Sequence, residues 1–350
     1  MEAGIVGFPL SGKTMIFNAI TGLEADTSAH SGGKNKVNLC EVKVPDDRLY
    51  KLKEIFSPKK VVHATILVKD IQLDIDSNGH ITPSSVAEMR TLDAIVLVLR
   101  AFKSEEVMHH ADEINPVKDL DSLIDSFIFS DFEVCEKRIQ RLEKESNKTS
   151  REYQLLTEAT KTLSDGKLIG PNAFEPADKK IMSGFRFLSE KPIIVVANIG
   201  SDSVDIAPLK AKSDEYGLGF FEIRADIEME ISQLPEEDQK DFLADIGVTE
   251  PAVKRFVTNI YSKLNLLSFL TAGEDECRAW SVRNGAAAPE AAGKIHTDLE
   301  KGFIRAEVIE WDALVEAGGF SEAKKNNKLR LEGKGYIVKD GDVLNIRFNV

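Results

Sequence analysis

Long hydrophobic segments are missing from this sequence. No apolar stretch reaches the roughly 18 residues of a membrane-spanning helix. The chain runs directly into Ile5-Val6, without the charged region and apolar core of a signal peptide. We therefore expect a cytoplasmic protein with no membrane partner.

Cysteine is also scarce. The three cysteines, Cys40, Cys135 and Cys277, lie far apart and form no C-x-x-C pair. Neither a disulfide framework nor a zinc site is indicated. We interpret the cysteines as small apolar residues with free thiols.

An excess of basic residues is absent as well, since the formal net charge is −13. This balance argues against broad, unspecific binding to nucleic acid, which needs lysine and arginine to neutralise phosphates. Most of the negative charge lies in the first 266 residues, and residues 267–350 are close to neutral. That C-terminal part holds a short basic span, which fits either a solvated surface loop or an RNA-facing segment: Lys324, Lys325, Lys328, Arg330 and Lys334.

The most informative motif is Gly7-Phe8-Pro9-Leu10-Ser11-Gly12-Lys13-Thr14, which fits the phosphate-binding pattern G-x-x-x-x-G-K-[ST]. It lies between an apolar run and a helix-like stretch, as the pattern requires. Glycine at both ends lets the backbone turn tightly and aim its N–H groups at a polyphosphate, which the helix dipole also favours. Lys13 is expected on the β- and γ-phosphates, and the Thr14 hydroxyl on Mg²⁺. The predicted nucleotide contacts of this loop are Pro9, Leu10, Ser11, Gly12, Lys13, Thr14 and Met15.

The whole chain is 42% hydrophobic and 29% charged, which is the composition of a globular protein, and its 350 residues suffice for more than one domain. Continuous apolar runs predict strands buried on both faces of a parallel, doubly wound α/β sheet. They lie at residues 65–68, 94–99, 193–197 and 220–223. Apolar residues at helical spacing between 131 and 163, interrupted by a polar stretch at 146–150, predict a helical hairpin. After Leu267, short β-like pieces and glycine turns predict a separate α+β module.

Several segments together resemble the YchF/Obg-like ATPase family, relatives of the translation-factor GTPases, over nearly the whole chain. The residues that carry the resemblance are Val44-Pro45-Asp46-Asp47-Arg48-Leu49, Cys135-Glu136-Lys137-Arg138-Ile139, Phe269-Leu270-Thr271-Ala272-Gly273, Arg278-Ala279-Trp280, the long segment from Ala291 to Val308, and Tyr336 to Val343. The resemblance implies a P-loop nucleotide domain (1–266) with a helical insertion at about 118–190. It also implies a C-terminal β-grasp module, the TGS domain (267–350). Further implications are a preference for ATP over GTP and action near ribosomes or tRNA, through the TGS domain. We expect a monomer.

Base preference depends on an N-K-x-D motif whose Asp pairs with guanine, and the family has an N-x-x-E form instead. Here the stretch reads Asn198-Ile199-Gly200-Ser201, so Asn198 is kept and the carboxylate is missing. We expect Asn198 and Ile199 at the nucleotide. Without the acceptor, guanine loses a charge-assisted partner worth about 1–3 kcal/mol, so guanine specificity is not expected.

The departures from the family fall where hydrolysis would be organised. Leu10 replaces an asparagine of the P-loop and supplies no side-chain oxygen. Lys34 occupies the position of a metal-binding threonine, and a cation there repels Mg²⁺. The D-x-x-G motif reads Asp70-Ile71-Gln72-Leu73. Asp70 is retained for Mg²⁺, whereas the glycine whose N–H would meet the γ-phosphate is lost.

Two functions remain open. The first is a slow ATPase that couples nucleotide state to the ribosome or tRNA, with Mg²⁺ as cofactor. The second is a non-hydrolysing nucleotide-binding scaffold that acts through its TGS domain and helical hairpin. Gln72, His63 and His80 are interpreted as surface or strand residues rather than as general bases. No catalytic residue is assigned.

Overall fold

The computed structural model describes residues 1–22, 38–76, 81–104 and 113–349. Its strands are β1 (Glu2–Val6), β2 (Asn38–Lys43), β3 (Lys60–Val62), β4 (Thr65–Asp70), β5 (Ala94–Arg100), β6 (Ile193–Asn198), β7 (Gly219–Ile223), β8 (Leu266–Ala272), β9 (Glu276–Arg283), β10 (Phe303–Glu310), β11 (Arg330–Glu332) and β12 (Asp342–Phe348). Its α-helices are α1 (Lys13–Thr21), α2 (Arg48–Phe56), α3 (Pro83–Arg90), α4 (Pro116–Lys144), α5 (Arg151–Ser164), α6 (Pro176–Met182), α7 (Ala207–Glu215), α8 (Ala225–Gln233), α9 (Glu236–Asp245), α10 (Ala252–Lys263), α11 (Ala288–Ile295), α12 (Thr297–Lys301), α13 (Trp311–Ala317) and α14 (Phe320–Lys325).

The first sheet has the strand order β2-β4-β1-β5-β6-β7. The strands β4, β1, β5, β6 and β7 pair in parallel. All seven residues of β5 and all six of β6 are buried, because helices cover both faces of the sheet. The predicted doubly wound P-loop arrangement is confirmed. The carboxyl ends of β1, β4, β5 and β6 therefore lie along one edge, where ligands bind in such sheets.

The predicted helical hairpin is formed by α4 and α5, inserted between β5 and β6. Ser150 ends the polar turn and caps α5 by accepting a hydrogen bond from the Tyr153 backbone N–H at 3.2 Å. Leu142 and Leu156 bring the two helices into the same hydrophobic core. The completely buried Asp131 of α4 pairs with Arg90 at 2.7 Å and accepts two hydrogen bonds from Ser189. The hairpin is thus fixed to α3 and to the segment that leads into β6.

The second sheet has the strand order β11-β10-β12-β8-β9-β3. Its core packs against α11, where alanines such as Ala291 and Ala292 allow a close approach to Phe269 and Val308. The predicted β-grasp module is confirmed, and the three cysteines of the chain are free thiols.

Two compact units make up the chain, one of residues 1–40 and 67–256 and the other of residues 41–66 and 257–350. This division differs from the sequence-based boundary at 266, because residues 41–66 belong to the second unit. In that unit β3 pairs in parallel with β9, from Lys60 opposite Glu276 onward. Arg48, at the start of α2, also bonds to Asp340 at 2.6 Å. These pairings join residues more than two hundred positions apart, which hydrophobic periodicity does not reveal.

Within the described ranges, no helix is both long enough and apolar enough to cross a membrane.

Candidate nucleotide site

The P-loop connects the end of β1 at Val6 with the start of α1 at Lys13. The last residues of β1 are buried, which fixes where the loop begins. At its other end, the first backbone N–H groups of α1 have no carbonyl one turn earlier to bond to, and their partial positive charge faces the loop. The strand-loop-helix context predicted for the motif is present.

Two glycines of the loop have no room for a side chain. A Cβ at Gly7 would overlap the carbonyl oxygen of Val98, and a Cβ at Gly12 would overlap the amide nitrogen of Asn198. Gly12 also has φ +92°, in the left-handed region where L side chains are strained. The loop therefore needs glycine at both motif positions to follow this path.

Lys13 is a buried lysine that folds back onto its own loop. Its Nζ donates to the carbonyl oxygen of Phe8 at 2.9 Å. Burial lowers the pKa of Lys13 to about 8, and the nearby Asp70 carboxylate opposes part of this shift. A bound polyphosphate would place negative charge beside this buried ammonium group and would favour its charged form.

Thr14 and Asp70 lie together at the edge of the sheet. Asp70 ends β4 next to Ile5 of β1, and Thr14 lies in the first turn of α1. The Thr14 hydroxyl donates to Asp70 Oδ2 at 2.9 Å, and Asp70 is buried. The two residues predicted for Mg²⁺ are thus brought together, with hydroxyl and carboxylate oxygens of the hard type that this ion prefers.

Asn198 joins the P-loop to the start of α8. It ends β6 and is 3% exposed. Its Nδ2 donates to the Ser11 carbonyl at 3.0 Å, and its Oδ1 accepts from the Ala225 backbone N–H at 3.3 Å. Both polar ends of the side chain are hydrogen-bonded to backbone, so in this structure Asn198 positions the P-loop against the start of α8. A contact with the base remains a prediction.

The other predicted contacts surround this arrangement. Pro9 is exposed at the tip of the loop, and Leu10, Met15 and Ile199 are half-buried. Leu10 has φ +62°, a left-handed conformation that is unusual for a branched apolar residue. Ser11 is buried, and its hydroxyl has no hydrogen-bond partner within the part of the chain that the structure describes.

The loop after β6 contains no carboxylate at the position that would read guanine. Ser201 is exposed there, and the following Asp202 is paired with Lys103 at 3.1 Å. Sequence reasoning missed Phe102, which forms a β-bridge to Ser203 and lies beside this loop. Its ring is half-buried and is covered on one side by the Arg100 guanidinium, 4.5 Å from the ring centre. The signal that could have found it is an aromatic residue shortly after the apolar run at residues 94–99.

The segment after Asp70 is held in place by its apolar side chains. Ile71 and Leu73 are buried in the core of the first unit, and Gln72 between them is exposed, as predicted for a solvated residue. The Asp74 N–H donates to Ser85 Oγ, and the Thr82 N–H donates to the Asp74 carbonyl, both at 2.9 Å. Leu73 thus replaces the expected glycine with an anchor in the core. Lys34 and His80 lie outside the described residues.

In the second unit, His63 and the basic span at 324–334 both bond to neighbouring residues. His63 is half-buried after β3 and bonds to the Val44 carbonyl and the Tyr50 hydroxyl, which agrees with the interpretation that it is not a general base. In the basic span, Lys325 pairs with Glu322 and Lys328 with Glu316. This supports a solvated, charge-balanced surface there rather than an RNA-facing segment.

Comparison with known proteins identifies a matching family model and full-length relatives of the chain. A family model described as YchF-GTPase_C, a protein of unknown function, matches residues 266–349. The chain is 36% identical to the ribosome-binding ATPase YchF of Haemophilus ducreyi, over 100% of this chain and 99% of that protein. It is 36% identical to the protein of that name from Bacillus subtilis over 100% of both chains, and 32% identical to that of Escherichia coli O157:H7 over 100% and 99%.

Among solved structures, the YchF GTPase of Schizosaccharomyces pombe matches with a TM-score of 0.88 and 26% identity. The match covers 99% of this chain and 97% of that structure. The similarity therefore extends over both units and not over the P-loop region alone.

Proposed function

The chain belongs to the YchF family, and on this premise we propose that it binds ATP at the P-loop, hydrolyses it slowly and acts in association with the ribosome. The full-length relatives named ribosome-binding ATPase support the ligand and the partner. A cytoplasmic location follows from that partner. The main observation in support of the proposal is the hydrogen bond from the buried Lys13 ammonium to the Phe8 carbonyl of the P-loop.

Phosphate binding in the proposal uses the backbone and one side chain. The N–H groups at the start of α1 bind phosphate oxygens, and Lys13 exchanges its bond to the Phe8 carbonyl for bonds to the β- and γ-phosphates. This exchange replaces a neutral acceptor with an anionic one, which strengthens the hydrogen bond.

Mg²⁺ fits the residues present. Thr14 would hold it through the hydroxyl, and Asp70 would hold it through the carboxylate that now accepts from Thr14. Such an ion neutralises charge on the β- and γ-phosphates when bound. Within the described ranges no cluster of three acidic, histidine or cysteine residues could hold a metal. This agrees with an ion that takes its remaining ligands from phosphate and water.

Slow turnover is proposed because groups that would organise the γ-phosphate are missing. Leu73 is buried in the core where a glycine would leave the backbone free to approach the γ-phosphate, and the neighbouring Gln72 is exposed. Phosphoryl transfer depends almost wholly on positioning and charge stabilisation, so loss of positioning groups lowers the rate by orders of magnitude.

Preference for adenine is supported by the loop after β6. Guanine's N1–H and amino group would find the Ser201 hydroxyl and the Lys103-paired Asp202 instead of a free carboxylate. The half-buried ring of Phe102 beside this loop offers a flat apolar surface to any base.

The burial of Leu73 also favours a second candidate, a non-hydrolysing nucleotide-binding scaffold. In that case bound ATP or ADP stabilises the fold, and the second unit and the helical hairpin make the contacts with partners.

A titration with fluorescent ATP separates these possibilities when phosphate release is followed in parallel. We expect wild type to bind and to release phosphate slowly, Lys13→Ala to lose binding, and the control Lys210→Ala, an exposed lysine of α7, to behave as wild type. Binding without phosphate above background would favour the scaffold. No binding by wild type would refute both candidates.

The partner is tested separately. We expect the full chain to co-sediment with ribosomes through a sucrose cushion in the presence of ATP. Recovery of the protein only in the supernatant would contradict the proposed ribosome association and leave the nucleotide site untouched.

A further inference from the structure

Glu228 is a buried carboxylate outside the P-loop. It lies in α8, three positions after Ala225, and is 6% exposed. Its two carboxylate oxygens accept hydrogen bonds from the backbone N–H groups of Ala252, at 2.8 Å, and Val253, at 3.1 Å. These are the first two residues of α10. A carboxylate of one helix thus caps the N-terminus of another.

This cap explains how a charged group can be buried here. Burial raises the pKa of Glu228, and the two N–H groups and the nearby Arg255 oppose part of that shift. The first N–H groups of a helix have no carbonyl partner within the helix, and the helix dipole favours a negative charge beside them. A buried carboxylate without such partners is strongly destabilising. The placement of Glu228 and the start of α10 therefore depend on each other.

The other end of α8 is bonded to the P-loop. The N–H of Ala225, the first residue of α8, donates to the Asn198 side chain, and the same side chain donates to the Ser11 carbonyl. One turn of α8 therefore has a bonded partner at each end, the P-loop through Asn198 and α10 through Glu228. The path from Ser11 to Ala252 consists of two buried side chains and that turn of helix.

The helix that Glu228 caps leads along the chain into the second unit, which resumes at Val257. α10 continues to Lys263 and is followed by β8 from Leu266 onward. Release of the Glu228 carboxylate would leave the first N–H groups of α10 without these acceptors, and the first turn would fray. Glu228 therefore stabilises the first turn of the helix that precedes the second sheet in the sequence.

We propose that Glu228 couples nucleotide binding at the P-loop to the order of the first turn of α10. The proposal rests on the proposed binding of ATP and adds a positioning residue that acts through α8. Bound phosphate restrains the P-loop backbone, so that the Ser11 carbonyl holds Asn198 and α8 more firmly, and Glu228 is kept against Ala252 and Val253. A ligand that restricts motion at one place favours order at a second place linked to it. Such coupling is reciprocal, so loss of the cap weakens ATP binding by the factor by which ATP stabilises the cap.

Hydrogen–deuterium exchange of the full chain, with and without ATP and Mg²⁺, tests the proposal at the N–H groups of Ala252 and Val253. We expect saturating ATP to slow their exchange in wild type at least about fivefold. In Glu228→Gln both groups should exchange faster, because the neutral amide offers one acceptor oxygen instead of two. ATP should then change their exchange less than about twofold, and the Kd for ATP should rise about fivefold. The Tyr153 N–H, which Ser150 caps in α5, is the internal reference that ATP should leave unchanged.

The matched control is Glu230→Gln, which removes the same charge from an exposed position of α8 and should behave as wild type. Thermal unfolding verifies that both variants are folded, and the comparison of wild type with and without ATP depends on neither. Faster exchange in Glu228→Gln with the slowing by ATP retained would make the role of Glu228 purely structural and overturn the proposal. Binding of ATP to wild type without slower exchange at α10 would overturn the coupling and leave the nucleotide site intact. Failure of wild type to bind ATP would refute the site and the coupling together.

Discussion

The side-chain amide of Asn198 lies directly against Gly12, in the space that a Cβ at that position would fill. The same amide donates to the Ser11 carbonyl at 3.0 Å. The end of β6 and the last turn of the P-loop are therefore fitted to each other.

Replacement of Gly12 should therefore disrupt the loop. We expect Gly12→Ala to abolish ATP binding and to lower the free energy of unfolding by more than about 2 kcal/mol, because a clash adds to left-handed strain. Gly22→Ala is the control, since Gly22 has φ +66° but open space around it. It should cost about 1 kcal/mol and leave ATP binding unchanged. Thermal unfolding and an ATP titration check both; normal ATP affinity in Gly12→Ala would contradict the account.

The lowered pKa of Lys13 predicts a loss of ATP affinity in mildly alkaline solution. Only the charged ammonium binds phosphate well, and with a pKa of about 8 it is mostly neutral at pH 9. We expect the Kd for ATP to rise about tenfold between pH 7 and pH 9. Lys13→Met should bind weakly at every pH and show no such change. A Kd for wild type that stays constant to pH 9.5 would show that Lys13 keeps its charge.

The same shift predicts how stability without nucleotide depends on pH. The folded-state pKa, about 8, lies below the ordinary value of 10.5, so the unfolded chain binds more protons between these values. The contribution of Lys13 to the free energy of unfolding should therefore rise as pH increases from 8 to 10.5. Urea unfolding of wild type and Lys13→Met at several pH values measures this contribution as the difference between their free energies of unfolding. A difference that falls as pH increases would contradict the prediction.

Leu10 stores backbone strain in the P-loop. With φ +62°, a leucine is less favourable than an asparagine, which tolerates the left-handed region. We expect Leu10→Asn to raise the free energy of unfolding by about 0.5 kcal/mol. Leu10→Ala keeps the strain and should bring no gain. Urea unfolding compares the three proteins, and equal stability of the Asn and Ala variants would mean that the strain is absent.

Leu73 anchors the segment after Asp70 in the core. Leu73→Ala should lower the free energy of unfolding by about 3 kcal/mol, as for other buried leucines. The neighbouring exposed Gln72→Ala should change it by less than about 0.5 kcal/mol. A Leu73→Ala variant as stable as Gln72→Ala would indicate that this segment leaves the core in solution and moves like a switch.

Local patterns in the sequence were sufficient to predict much of the fold. The P-loop motif and the apolar runs of β5 and β6 each predict their element from neighbouring residues. Lys13, Thr14 and Asp70 are brought together because parallel strands end at one edge. The addition of β3 to the second sheet depends on pairing with the distant β9 and has no local signal. The two hydrogen bonds of the Asn198 side chain arise in the same way, since Ser11 lies in the P-loop and Ala225 lies at the start of α8.

Direct comparison of ATP and GTP binding at equilibrium tests the central claim, that the retained P-loop binds adenine nucleotide without a guanine reader. Isothermal titration of the full chain with each nucleotide and Mg²⁺ measures both affinities. We predict ATP binding at least about tenfold tighter than GTP binding, because guanine lacks its carboxylate partner at Ser201. GTP affinity equal to or higher than that for ATP would contradict the account.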